Sequence, residues 1–166
     1  MKTASNPTTQ KPRRVLPPLV LENARIFYRN FSGKPSSFNA SGNRNFALEI
    51  SDELAIALAA DEWNVKTTKP PKDDPDGPVR KYVSVKVGFD KYPPQITMIS
   101  SVSGRQVLLT EETISLLDTA EILNVDVIVR PYPWTQPSGD HGTKGYVQVM
   151  YVTVLENQFA AKYAKP

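Results

Sequence analysis

At 166 residues the chain fits one domain large enough to bury a core without staples, and the absence of cysteine removes disulfides, thiolate catalysis and thiolate metal sites. A single histidine, His141, no apolar run of membrane-spanning length and no apolar block near the start point to a soluble intracellular protein. The net charge of +3 is uneven: residues 1–18 hold Lys2, Lys11, Arg13 and Arg14 with no acid, which leaves −1 for the body, so attraction for a polyanion must come from a local patch or from that arm.

Residues 1–18 are polar, include Pro7, Pro12, Pro17 and Pro18, and lack the apolar content that would offset the entropy of ordering them. They are expected to form a flexible basic arm ahead of a single domain at 19–166, either solubilising the chain or adding phosphate contacts. Asn23 to Phe31 reads as a strand with Arg25, Phe27, Arg29 and Phe31 on one face and Ala24, Ile26 and Tyr28 on the other. Cations beside aromatic rings suit single-stranded nucleic acid, whose phosphates need positive charge and whose unpaired bases need flat apolar surface. Aromatic residues in strands also serve plain packing. Ser32 to Gly42 is a loop broken by glycine and proline, with Phe38 exposed or half-buried in it. Arg44 to Ile50 resumes as a strand with Arg44, Phe46, Leu48 and Ile50 on one face, pairing with the first as a long hairpin.

Ser51 is the expected N-cap of a helix over Asp52 to Asp61, with acids in its first turn and Leu54, Ala55, Leu58 and Ala59 on its apolar face. Trp63 to Thr67 reads as a short strand, and Pro70 to Pro78 as a loop whose Asp74-Pro75-Asp76-Gly77 lacks the later glutamate of a calcium loop. Tyr82 to Phe89 alternates cleanly, Val83, Val85, Val87 and Phe89 facing inward and Tyr82, Ser84 and Lys86 outward. Turns at Pro93-Pro94 and Ser103-Gly104 then predict strands at Gln95 to Ser101 and Arg105 to Leu109, completing an antiparallel meander. Thr110 is the N-cap expected for a short helix from Glu111 to about Asp118, with Ile114 and Leu117 inward. Asp126 to Tyr132 and Lys144 to Leu155 are strands joined by a long loop, Pro133 to Thr143; in the second, Tyr146, Met150 and Val152 share one side. Phe159 and Tyr163, four residues apart, suggest a last helix at 156–163.

Catalysis needs convergent groups with matched proton affinities, and the sequence offers few. His141 sits in Ser-Gly-Asp-His-Gly, the composition of an exposed hairpin tip, and no Walker loop, dinucleotide fingerprint, zinc helix or nucleophile elbow occurs. A magnesium-dependent nuclease would have to draw its acids together from Glu22, Glu49, Asp90 or Asp126. The basic and aromatic pairing recurs instead in Arg44 with Phe46, Tyr82 with Lys86, and Arg130 with Tyr132 and Trp134, the last three sharing strand parity. Stacking contributes on the order of 1–3 kcal/mol per base, so two or three rings with several cations suffice for useful affinity.

The segments Asn23-Ala24-Arg25-Ile26-Phe27, Arg29-Asn30-Phe31-Ser32-Gly33, Phe38-Asn39 with Gly42, Arg44-Asn45-Phe46, Trp63-Asn64-Val65, Val127-Ile128-Val129-Arg130-Pro131-Tyr132 with Trp134, and Met150-Tyr151-Val152-Thr153 carry a resemblance over roughly residues 19 to 163. Together they resemble small phage and prophage proteins generally labelled single-stranded DNA-binding proteins. The resemblance implies an OB-fold-like barrel that coats DNA strands exposed in phage replication or recombination. Many such proteins end in an acidic tail that recruits partners, whereas this chain ends Ala164-Lys165-Pro166, which argues against tail-mediated recruitment.

The expected fold is mainly β, an OB-fold-like antiparallel β-barrel with two or three short helices; a β-sandwich is the alternative. The expected function is non-catalytic, largely sequence-independent binding of single-stranded DNA, the alternative being a phage structural or host-interaction protein that does not touch nucleic acid. Strand parity assigns Arg25, Arg29, Phe31, Arg44, Tyr82, Lys86, Arg130, Tyr132 and Trp134 to the nucleic acid, and leaves Phe27 and Phe46 to packing. No cofactor, metal or membrane is expected, the cytoplasm of the host cell is the expected location, and a homo-oligomer or contacts with phage or host replication and recombination proteins stay open.

Overall fold

The structure, a computed structural model, describes residues 15–37 and 39–156; the expectations for Phe38, for most of the basic arm and for a helix at 156–163 lie outside the described residues. The first departure from the sequence reading is at the start. Asn23 to Phe31 is not one strand but the junction of two, β1 (Leu19–Ala24) and β2 (Ile26–Asn30), with Arg25 between them. Asn23 and Tyr28 hold positive φ of 53° and 49°, a conformation that short polar residues tolerate and aromatic ones rarely adopt. Asn23 is held there by its backbone N–H, which donates to Asp126 Oδ1 at 3.0 Å. Each left-handed residue rotates the chain, so the alternation assumed from Arg25 to Phe31 does not survive.

The following hairpin matches its expectation. β3 (Arg44–Ile50) runs antiparallel to β2, with Ile26 opposite Leu48 and Phe27 opposite Ala47, and Phe46, Leu48 and Ile50 enter the core. Ser51 caps α1 (Asp52–Ala60), its hydroxyl accepting from Leu54 N–H, while Ala55 and Leu58 are buried. The chain leaves the helix through Trp63, whose buried ring lies against Gly145: a Cβ built at Gly145 would stand 2.6 Å from that ring, so only glycine allows the contact. A two-residue strand, β4 (Lys66–Thr67), pairs with β5 (Lys81–Val87), whose Val83, Val85 and Val87 are buried as their alternation requires.

The antiparallel meander does not form. β6 (Gln95–Ser100) and β7 (Gln106–Leu109) make a hairpin, but β5 and β6 both pair in parallel with the last strand. β8 (Ile122–Thr135) and β9 (His141–Val154) form a ribbon of 14 residues a side. At strand rise that is roughly 46 Å, long enough for β9 to receive β5 near its start and β6 along its second half. The connecting loop is correspondingly short, closed by Gln136 N–H donating to Asp140 O at 2.7 Å. Pro131 and Pro133 are tolerated because β1 pairs with β8 only as far as Val129, leaving β8 an edge beyond it.

The sheet order is β1-β8-β9-β5-β3-β2, and its two outermost strands are consecutive in sequence. The sheet therefore curls until its ends meet at Arg25, whose carbonyl accepts from Glu49 N–H at 2.9 Å. This is a mainly β, mixed rather than purely antiparallel sheet, barrel-like and not fully closed, with one α-helix and one 3₁₀ helix among the described residues. The expected helix at Glu111 to Asp118 is that 3₁₀ helix, Ile114–Asp118, with Ile114 and Leu117 buried. Thr113 Oγ1 accepts from Thr110 N–H at 2.8 Å, a local bond that competes with an α-helical start.

A bulge in the ribbon decides which residues fill the barrel. Ile128 faces Val149 but Val129 faces Val147, so Gln148 has no opposite number. Val147 and Met150 are consequently both buried, and Tyr146 is on the outside, not with Met150 and Val152 as simple alternation predicts.

Candidate nucleic-acid interface

The outer face of β5, β9 and β8 gathers the cations and rings. Arg130 lies opposite Tyr146, Tyr132 opposite Lys144, and Trp134 opposite Gly142, while Lys86 is the parallel partner of Tyr146 on the other side of β9. Side chains of directly opposed residues share a face, so one surface holds Lys86, Arg130, Tyr132, Trp134, Lys144 and Tyr146. Gly142 makes room for the indole, since a Cβ there would stand 2.9 Å from the Trp134 ring. Tyr132 and Tyr146 meet edge to face at 6.2 Å, and Lys144 Nζ stands 5.8 Å from the Trp134 ring centre. Arg130 lies 4.4 Å over the ring of Tyr92, itself exposed.

Among the described residues no carboxylate pairs with the cations of this surface. Among the described residues the ion pairs are Arg44 with Glu111, Arg80 with Glu49, Lys81 with Asp52 and His141 with Glu62, none of which involves Lys86, Arg130 or Lys144. Burial, and after it the neighbouring charge of Lys144, holds the Lys86 ammonium below the ordinary lysine range. The register of β5, β9 and β8 sets these two cations on the same patch.

A second aromatic group adjoins it. Phe27, Tyr28 and Tyr82 meet edge to face with ring centres 4.7, 5.2 and 5.7 Å apart. Arg80 lies 4.2 Å over Phe27 and donates from Nε to Glu49 at 2.9 Å. Burial, with Tyr28 adding to it, raises the Tyr82 phenol. Tyr28 is 63% exposed.

Of the nine residues assigned from parity, Lys86, Arg130, Tyr132 and Trp134 come together, with Tyr82 four residues along β5 from Lys86. The other four do not join them. Phe31 has no exposed surface and stacks on Phe46 at 5.2 Å, leaving no ring face for a base; Asp118 turns it inward by accepting its N–H at 2.6 Å. Arg29 donates to the carbonyls of Leu117 and Ala120 at 2.8 and 2.7 Å, tying β2 to the 3₁₀ helix. Arg44 pairs with Glu111 and lies 5.6 Å from the Phe89 ring, with a half-buried side chain. Arg25 is exposed at the kink and lines a separate open cleft of about 400 Å³ with Arg29 and Arg80.

Parity reasoning missed Lys144, Tyr146, Tyr92 and Phe27 as members of these surfaces. For Lys144 and Tyr146 a signal existed: Lys144-Gly145-Tyr146 alternates, and a tight turn after Thr135 sets it opposite Arg130 and Tyr132. The acids considered for a nuclease are otherwise engaged or apart. Glu49 pairs with Arg80 and Asp126 accepts from Asn23, and among the described residues no three His, Asp or Glu lie close enough to hold a metal. His141 pairs with Glu62. Among the described residues no helix is long and apolar enough to cross a membrane.

Solved structures similar to this chain include the single-stranded DNA-binding protein of bacteriophage Enc34 with its C-terminus truncated, at 11% identity over 83% of this chain and 86% of that chain, TM-score 0.46. The untruncated Enc34 protein is similar at 12% identity over 88% and 86%, TM-score 0.44. The gp2.5 single-stranded DNA-binding protein of bacteriophage T7 is similar at 11% identity over 90% and 97%, TM-score 0.39. Among curated proteins none matches. The family model described as "Putative phage ssDNA-binding domain" matches residues 8–166, and the chain belongs to that family.

Proposed function

We propose that the protein binds single-stranded DNA on the outer face of β5, β9 and β8, without catalysis and with little sequence preference. The observation that carries this is the interleaving of Lys86, Arg130 and Lys144, none with a carboxylate partner among the described residues, with Tyr132, Trp134 and Tyr146 on one solvent-facing surface. Aromatic rings can stack on any base, and cations that meet phosphates release counterions condensed on the strand. Membership of a family described by single-stranded DNA binding supports the same reading. The setting that fits it is phage DNA replication or recombination in the host cytoplasm, with residues 1–18 adding nonspecific phosphate contacts and with self-association or replication partners as further associations.

The test is titration of an unstructured oligothymidylate, read by anisotropy and by electrophoretic shift, at low and at moderate salt. Binding that weakens linearly with the logarithm of salt is expected. No shift at low salt and micromolar protein would overturn the reading and favour a structural or host-interaction role. Magnesium-dependent cleavage of the oligonucleotide would overturn its non-catalytic part.

A further inference from the structure

We infer that the cleft at the β1–β2 kink is a second phosphate subsite, engaged only by a strand long enough to cross the sheet from the Lys86, Arg130 and Lys144 surface. The inference rests on the strand-binding reading above and adds to it a site and a direction. The cleft is lined by Arg25, Arg29 and Arg80 together with Glu121, Leu123 and Asn124, and since Glu49 pairs with Arg80 its unpaired cations are Arg25 and Arg29 among the described residues. Two of the guanidinium groups are positioned before any ligand arrives. Arg29 is held by the carbonyls of Leu117 and Ala120, which leave its positive charge intact, and Arg80 by the Phe27 ring and Glu49. Arg25 is exposed, and among the described residues no carboxylate pairs with it. A guanidinium fixed by neutral acceptors loses little further freedom on meeting a phosphate, so its contact is more favourable than that of a free surface lysine.

The two cationic regions are joined by rings. From Lys86 the outer face of β5 leads to Tyr82, roughly 13 Å away at strand rise. Tyr82 touches Phe27 and Tyr28, and Phe27 carries Arg80, which reaches the cleft. Exposed Tyr28 offers a base a surface between the two sets of phosphate contacts. The order of groups, cations then rings then cations, is that of a single strand laid across the barrel, and it explains why the bent first strand brings Arg25 and Phe27 to the site although its ends belong to different sides of the sheet.

Oligothymidylates of about 5 and about 16 nucleotides, the span of strand lengths held by one such domain, separate the regions. Arg25→Gln should bind the longer oligonucleotide roughly fivefold more weakly, the scale of one exposed ionic contact, with no change on the shorter. Its salt slope on the longer strand should fall by about 0.7. Arg25→Glu should deepen the loss, and Lys144→Gln should weaken both lengths. Wild-type affinity and slope for Arg25→Gln on the longer strand, or equal loss on both lengths, overturns the second subsite while leaving the strand-binding reading standing. Failure of the wild-type protein to hold either oligonucleotide removes both readings. Binding of polyglutamate that is lost in Arg25→Glu, with the longer oligonucleotide unaffected, overturns the subsite in favour of an acidic protein partner.

Discussion

Lys86 on β5 is the parallel register partner of Tyr146 on β9, across a junction of only two residue pairs. Tyr146 in turn faces Arg130 across the β8–β9 ribbon. A ring thus stands between two cations on three adjacent strands, the arrangement in which a base can stack while the phosphates on either side are neutralised.

Charge and stacking on this surface should fail differently. Lys86→Gln, Arg130→Gln or Lys144→Gln should each reduce the slope of log affinity against log salt by about 0.7. Trp134→Ala or Tyr146→Ala should weaken binding by about 1–3 kcal/mol with the slope unchanged. Titrations at four or five salt concentrations measure both, and identical slopes in all five variants would show that the cations meet no phosphate.

Two glycines on β9 should separate stability from binding. A Cβ at Gly145 would meet both Trp63 and Val129, at 2.6 and 2.7 Å. Both are buried, so Gly145→Ala should cost about 1–3 kcal/mol of stability. At Gly142 the three atoms nearest a Cβ all belong to the ring of Trp134, which is half-buried and so freer to shift than Trp63 or Val129. Gly142→Ala should therefore lower affinity with little change in melting temperature. Denaturant melts beside oligonucleotide titrations decide it, and a large loss of stability in Gly142→Ala would place Trp134 in the fold rather than at the interface.

Phe31 should affect binding only through folding, whereas Arg29 holds the fold and also lines the cleft proposed for the longer strand. Phe31→Ala empties a fully buried site and should cost about 3–5 kcal/mol. Arg29→Ala leaves the Leu117 and Ala120 carbonyls without a donor, at about 1–3 kcal/mol. For Phe31→Ala, stabilised by an osmolyte until fully folded, affinity for the short oligonucleotide should return to the wild-type value, and a persistent deficit would show that its ring does contact a base.

The His141–Glu62 pair predicts a pH signature. The Gly139 carbonyl, then the Glu62 charge, raises the imidazole above its ordinary 6.5. A folded-state value above the unfolded one means the contribution is complete below the unfolded value and lost as pH rises through the folded one. The melting temperature of wild type should therefore exceed that of Glu62→Gln in mildly acid solution, and the difference should vanish in alkaline solution. A gap that persists at alkaline pH would point to a role for Glu62 other than this ion pair.

What the sequence determined by itself was local and periodic. Alternation in Val83, Val85 and Val87 defined β5, Ser51 with Asp52 and Glu53 defined the start of α1, and the shared parity of Arg130, Tyr132 and Trp134 placed all three outside. Each of these follows from side-chain direction within a few residues, which the chain carries wherever it goes. What only the tertiary structure decided was where alternation stops. Nothing local announces that Arg25 separates two strands, that Gln148 is skipped so that Val147 and Met150 share the core, or that β5 pairs with β9 rather than β6. Those outcomes are settled by which distant strand supplies the better-buried partner, and one skipped or left-handed residue reverses the face of all that follow it, parting Tyr146 from Met150 and Val152 and moving Phe31 from the surface to the core.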